Sequence, residues 1–471
     1  MFAEAAYLFR HALLRDAAYQ LQLPADRAAL HALALEIIEG LYGGRALQIP
    51  VADEPGTAEA WHHPTDAAAL ELARHAAAAM RLSPCFEHLL ALRRHYLSRA
   101  AMSASVHLQC AQAAELWLEL AEISQGPARA EALRSAADEK GALGRRDEAM
   151  ALLKDARALA DDFCEPLLEN KILGQMGAQF IEAGKFDDAR SMFNVALGAF
   201  ERLGAKPQVA VTRLNLASLE MSLGNLEACR SHVIGAEEIA RTLGLEKLLA
   251  EAASFRASLC QLAGEFEQAQ HLYAQALEIH RRRNNHIFTC ATLGNMAATS
   301  LEMNQFDLAE ARFGQVLSLA SEAGLRRTLG IALGNYAILL SRRRRFDEAI
   351  SHFQRALAVH REIGNVRSEG VALGNLAETL LCVSRAAEAA PYFDAAVALH
   401  RRLNNRPHLA GHLCGQARCL LALSQRERAE AQWREGIQML ASDSLALERE
   451  VQQQRMLEDC RKLGVAPLGE G

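Results

Sequence analysis

The chain has 471 residues, of which 51% are hydrophobic, 23% charged and only 6% aromatic, with 11 prolines and 30 glycines. This balance excludes wholesale disorder and favours alanine- and leucine-based helix packing over sandwiches or barrels. The net charge of −6 hides an asymmetry: residues 1–130 carry −4, 131–280 carry −7, 281–410 carry +6 with every base an arginine, and 411–471 carry −1.

No apolar stretch of about 18 residues escapes charge, so no membrane span is expected. The N-terminus has an acid at Glu4 and no apolar run of signal-peptide length, so no secretory signal is expected. The ten cysteines contain no Cys-x-x-Cys pair and are too sparse for a disulfide framework. They predict buried free thiols in a reducing, cytoplasmic setting.

In chain order, residues 1–85 predict a helical N-terminal segment interrupted by a loop at 43–66, which holds Pro50, Pro55 and Pro64. Residues 86–129 predict a degenerate helix pair, with helices over HLLALRRHYLSRAA and SVHLQCAQAAELWLELA.

From 130 to 442 the chain repeats itself every 40 residues, eight times without insertion or deletion. A small residue recurs at Ala137, Gly177, Ala217, Ala257, Ala297, Ala337, Ala377 and Ala417. Twelve residues later another follows, at Ala149, Ala189, Cys229, Ala269, Ala309, Ala349, Ala389 and Ala429. Four residues on stands a large apolar residue: Leu153, Phe193, Val233, Tyr273, Phe313, Phe353, Phe393 and Trp433. Small residues at fixed points let two antiparallel helices approach, and the large one fills the gap to the next unit. The turn between the helices is expected at Gly144, Gly184, Gly224, Gly264 and Asn304, which tolerate a left-handed backbone. The second helices are expected to end at Gly204, Gly244, Asn284, Gly324, Gly364 and Asn404. Residues 443–471 predict a polar capping helix and a tail, covering the open end of the stack.

This small–small–large register resembles the tetratricopeptide repeat, a helix–turn–helix unit of 34 residues. The units here are longer, and the proline that the family carries near the end of its second helix is replaced by residues such as Asp161, Glu201, Arg241 and Arg281. The second helix can therefore run on. The resemblance implies an all-α, right-handed superhelical solenoid whose first helices line a concave groove. Such long units resemble those of spindle-orientation adaptors and kinesin light chains. A second resemblance lies upstream. Phe9, Arg10, His11, Ala12, Leu13, Arg15, Ala18 and Tyr19, with Leu30 and His31, make residues 7–38 similar to the arm preceding the repeats in bacterial STAND ATPases and related regulators. In that family a nucleotide-binding module precedes the arm. Here Met1 leaves no room for it and no Gly-x-x-x-x-Gly-Lys-Ser/Thr loop occurs, so the chain is expected to be a sensor half, standing alone or split from its ATPase.

Two residues before the small anchor stand Gln175, Asn215, Asn295, Asn335 and Asn375; Phe255 and Gly415 interrupt the series. Gly294, Gly334 and Gly374 immediately precede three of the asparagines. Glycine inside a helix costs about 1 kcal/mol relative to alanine, so three in register suggest a backbone that must be approached closely. The ladder reads as a groove for a peptide backbone, against the alternative that Asn and Gly only satisfy helix packing. In the resembling family the corresponding Asn does bind. Arg342, Arg343, Arg344 and Arg345 form a run at the sixth turn. They read as a solvated face or as an edge attracting an acidic protein partner. Nucleic acid fits poorly, because no stacking aromatics accompany them. His280, His360 and His400 recur at one repeat position, without the converging carboxylates or cysteines a metal needs.

The expected function is a non-enzymatic interaction scaffold that needs no cofactor. It would bind a protein or peptide segment in the groove, with acidic character suggested by the +6 block. The alternative is the effector-sensing arm of a STAND-type ATPase or transcriptional regulator.

Overall fold

The computed structural model describes residues 22–46, 63–80, 85–107, 109–283, 285–403, 405–441 and 446–468. The arm residues from Phe9 to Tyr19, and residues 47–62 of the expected loop, lie outside them. Among the described residues all regular structure is helical, and no helix is long and apolar enough to cross a membrane. The chain divides into two compact units, residues 1–139 with 152–168, and residues 140–151 with 169–471.

In the first unit α1 (Pro24–Leu41) starts with proline at its first position, where the missing N–H costs nothing. Next come α2 (Ala69–Ala79), α3 (Phe86–Val106) and α4 (Cys110–Ile123). Buried polar pairs hold these together. The Tyr96 hydroxyl donates to Glu39, which also accepts from Arg45 at 2.9 Å. Arg99, itself buried, pairs with Asp66 at 2.6 Å. The helix break differs from the expected one: α3 runs on through Ser103–Val106, and α4 begins at Cys110. No glycine or proline marks this break.

The second unit is a stack of helix pairs. Repeat 2 is Pro166–Glu182 and Phe186–Arg202, repeat 3 Lys206–Leu223 and Leu226–Leu243, and repeat 4 Glu246–Leu262 and Phe266–Arg282. Repeat 5 is His286–Glu302 and Phe306–Glu322, and repeat 6 Arg326–Arg342 and Phe346–Glu362. Repeat 7 is Val366–Cys382 and Ala386–Arg402, and repeat 8 Arg406–Ala422 and Arg426–Met439. The final helix, Ala446–Leu463, is tied to repeat 8 by Asp459, which accepts from Arg418 at 3.1 Å. Repeat 1 comprises Gly126–Ala142 and Arg146–Asp162; its turn, residues 140–151, belongs to this unit.

The small anchors are buried where the register puts them, and the large residues fill the space beside them. Ala337, Phe353, Ala377 and Phe393 share one cluster; Ala217, Cys229, Val233 and Ala236 share another. Each turn closes in the same way. In repeat 2 the Lys185 N–H donates to the Phe180 carbonyl at 2.9 Å, and the Gly184 N–H to Ile181 at 3.0 Å. Gly144, Gly184, Gly224, Gly264 and Asn304 all have positive φ, as expected. So do Arg344, Ser384 and Ser424, which take the same turn without glycine. The second-helix ends at Gly204, Gly244, Gly324 and Gly364 are left-handed too; Asn284 and Asn404 lie outside the described residues.

One contact is not between neighbours. A Cβ built on Gly144 would lie 2.3 Å from the Ile363 Cβ, and one on Gly184 would lie 3.0 Å from Leu403. Arg146 donates to the Gly364 carbonyl at 3.3 Å, and the Arg367 guanidinium lies over the Phe186 ring at 5.6 Å. The turns of repeats 1 and 2 thus abut the far ends of the second helices of repeats 6 and 7.

Candidate functional site

The 40-residue period carries Gln175, Asn215, Asn295, Asn335 and Asn375 to equivalent places on successive first helices, all within the second unit. The carboxamides of Asn215, Asn335 and Asn375 make no hydrogen bond among the described residues, and each is half-buried. Asn295 is exposed and bonds the Tyr273 hydroxyl, whose pKa burial pushes up to about 12 against the hydrogen bonds of Ser258 and Asn295. Gln175 holds a buried side-chain oxygen with no partner. This is a column of amide groups with spare donor and acceptor capacity, which is what pairing with a polypeptide backbone requires.

The three glycines do not behave alike. A Cβ on Gly294 or Gly334 would meet nothing within 4 Å, so both open onto free space. A Cβ on Gly374 would fall 2.1 Å from the His412 ring. The expectation of an open approach thus fits the first two, while His412 of repeat 8 fills the third place. The gap in the amide column at Gly415 has a cause as well: a side chain there would strike the Glu378 carboxylate and the Phe393 ring.

The four arginines straddle the sixth turn, with Arg344 at its left-handed position (φ 60°) and exposed. Arg342 pairs with Glu302 at 2.9 Å. Arg343 pairs with Asp307 and with Glu310, the latter at 2.6 Å, and its guanidinium lies 5.9 Å from the centre of the Phe306 ring. Arg345 reaches Glu310 at 2.8 Å and Glu348 at 2.7 Å. Burial alone would raise the Glu310 carboxyl, but hydrogen bonds from Arg345 and Tyr336 and the charges of Arg343 and Arg345 bring it below its ordinary value. Three of the four cations are therefore already neutralised by the chain itself.

The histidine column is interior. His280, His360 and His400 are buried, and burial is the first cause that lowers them to about 4, 4 and 3. Gly330 and Gly370 make room for two of the rings. Among the described residues no group of three His, Cys, Asp or Glu side chains is placed to hold a metal ion.

Sequence reasoning passed over Glu251 and took Phe255 only as an interruption. Glu251 lies one helical turn before Phe255 on the first helix of repeat 4, so the two share a face. Its column reads Lys171, Val211, Glu251, Ala291, Ile331 and Val371, and the single carboxylate among mostly apolar residues was the available signal. The side chain is half-buried and makes no hydrogen bond or ion pair with any described residue. Burial raises its pKa, opposed only by the charge of Lys247.

The stacked helix pairs and their 40-residue register define a helical repeat protein of the tetratricopeptide type. Residues 208–282, 248–322, 288–362 and 328–382 match the Tetratricopeptide repeat family model, so residues 208–382 are tetratricopeptide repeats, here in 40-residue units. No curated protein sequence matches the chain. Among solved structures, a Rap protein complexed with Competence and Sporulation Factor is similar at 12% identity, over 78% of this chain and 99% of that one, with a TM-score of 0.56. The Rap conjugation gene regulator of plasmid pLS20, in complex with a Phr peptide, is similar at 15% identity over 61% and 78%, with a TM-score of 0.52. A STAND protein with a tetratricopeptide repeat sensor from Pyrococcus horikoshii aligns at 12% identity over 96% and 67%, with a TM-score of 0.46.

Proposed function

We propose that this chain is a non-enzymatic, cytoplasmic interaction protein. An extended segment of a protein or peptide partner lies along the first-helix face of repeats 2–7. The observation that carries this reading is the column of amides without hydrogen bonds at Asn215, Asn335 and Asn375, beside the open backbone at Gly294 and Gly334. The carboxamides would donate to and accept from the partner's backbone. The two glycines would let it come within contact of the helix. Two structures of the same fold are complexes, one with a factor and one with a peptide, which supports a segment as the ligand. The ten cysteines are free, but Cys85, Cys164 and Cys382 are exposed rather than buried as expected, because they lie at helix ends and turns; free thiols suit a reducing compartment. An acidic segment, attractive from the charge of residues 281–410 alone, would have to share the ion pairs of Arg342, Arg343 and Arg345. Of the four, only Arg344 is left to it.

The test is to select peptides from a random dodecapeptide display library on the intact chain. Their binding is then measured on the Asn215/Asn335/Asn375→Ala variant, which breaks no hydrogen bond among the described residues. Each lost hydrogen bond is worth about 1 kcal/mol, so affinity should fall by tenfold or more, through faster dissociation and at every ionic strength. Peptides that bind the variant and the parent equally would place the site elsewhere.

A further inference from the structure

The amide column changes character at repeat 4, and with it the chemistry that the face can recognise. Phe255 stands where repeats 2, 3, 5, 6 and 7 have a carboxamide, and Glu251 stands one turn earlier where the neighbouring repeats have Val211 and Ala291. We propose that Glu251 and Phe255 form a pocket for one cationic side chain, lysine or arginine, of the extended peptide bound along the amide column. The proposal rests on the peptide-binding reading above and names the residue that sets its specificity.

Three observations bear on it. The first is the state of the other carboxylates on the first helices of repeats 3–7, where Glu246 is held by Arg282 at 2.8 Å. Glu220 holds Arg190 at 2.8 Å, and Glu302 holds Arg342 at 2.9 Å. Glu369 holds Arg361 at 2.7 Å, and Glu378 holds Arg418 at 2.6 Å. Glu251 has no such partner. A half-buried carboxylate left without a donor is costly, and a ligand that brings one recovers the cost. The second is the aromatic ring. Phe255 is half-buried, packed at its base against the Ala217–Val233 cluster. A cation held by a carboxylate against a ring face gains from both groups. The third is the surrounding polarity. Ser254 and Ser258 on the same helix bond backward to the Ala250 and Ser254 carbonyls, so neither hydroxyl proton is spent on the carboxylate. Lys247, one turn before Glu251 on its own helix, is the one charge that bears on it, and it falls short of an ion pair.

The library selection is run in parallel on the parent chain, on Glu251→Gln and on Glu251→Lys. Parent-selected peptides should share one enriched Lys or Arg position. The enrichment should vanish on Glu251→Gln and turn to Asp or Glu on Glu251→Lys. A parent-selected peptide should bind Glu251→Gln about tenfold more weakly, and replacing its conserved cation by Gln should cost nothing further on that variant. Thermal melting of Glu251→Gln should be unchanged or higher, since the half-buried carboxylate has no hydrogen bond or ion pair to lose. No basic enrichment, the same enrichment on Glu251→Gln, or enrichment of acids on the parent would overturn the pocket. Peptides that depend on the asparagines but ignore Glu251 would overturn the pocket alone. Peptides that ignore the asparagines, or a selection that recovers none, would remove the binding reading and the pocket with it.

Discussion

Gly144 and Ile363 lie 219 residues apart in sequence, and the Ile363 side chain sits against the glycine's backbone so closely that a Cβ there would be 2.3 Å from its own. Gly264 occupies the equivalent turn of repeat 4 with nearly the same φ, +79° against +78°, and nothing near it. The two glycines therefore separate a conformational demand from a steric one. An L-residue in the left-handed region costs roughly 1–2 kcal/mol, so Gly264→Ala should lose about that much. Gly144→Ala should lose at least about 1 kcal/mol more, by the usual scale of overpacking. Denaturant midpoints measure the difference; equal losses would mean that the two edges do not meet in solution.

Arg344 supplies the reverse case. It takes the left-handed position with a side chain that makes no ion pair, while Arg343 and Arg345 on either side do. Arg344→Gly should stabilise by about 0.5–1 kcal/mol, the difference between relieved strain and added chain entropy. A drop in stability would assign Arg344 a contact of its own.

The anchor alanines should not tolerate size. Ala337 is fully buried among Leu340, Phe353 and Leu376. Ala337→Leu should cost on the order of 1–3 kcal/mol, and the loss should appear in repeats 5 and 7 as well as 6 when followed by hydrogen exchange. An unchanged melt would contradict the repeat register.

Acid should weaken the stack through the histidine column. Folded His280, His360 and His400 titrate near 4, 4 and 3, below the ordinary value of about 6.5. As pH falls from 6.5 towards 4 the unfolded chain takes up protons that the folded one refuses. Their contribution is present above pH 6.5 and lost on acidification, a few kcal/mol in total by linkage. Glu139 and Glu251, raised chiefly by burial, act with the opposite sign, because the folded state binds their protons first. Urea titrations at pH 7, 5.5 and 4.5 should show a falling midpoint, with a shallower fall in His280→Gln. A midpoint flat across that range would mean that the rings are solvated.

The repeat was legible because each unit states the same constraint again. Small residues at Ala217, Ala257 and Ala297 mark helix approach, and Gly224 and Gly264 mark turns, so a single period fixes both elements and register. The amide column was legible for the same reason. What periodicity hides is whatever one repeat does alone. Arg344 and Ser424 were invisible as turn residues, since a rigid frame can hold an unfavoured residue in a left-handed turn. His412 reaches over Gly374 from the next repeat, and Glu378 shuts out any side chain at Gly415, both of which depend on packing between helices. Glu251 stands out only once its neighbours' carboxylates are seen to be paired.

Repeat arrays with contacts only between neighbours behave as one-dimensional chains, fraying from either end. The meeting of Gly144 with Ile363 and of Gly184 with Leu403 breaks that rule. It ties an early edge to a late one across more than 200 residues, an entropic closure of roughly 5 kcal/mol that an unfolded chain must supply. Contacts of such high order slow folding, because loop-closure entropy must be lost before they reward it. Once formed, they deprive the turns at Gly144 and Gly184 of independent fraying: opening there requires releasing the helix ends at Ile363 and Leu403, whose neighbouring amides should then exchange with the same free energy. The array would melt as a clasped object rather than as a string, and damage to the clasp would be felt along the whole amide column it spans.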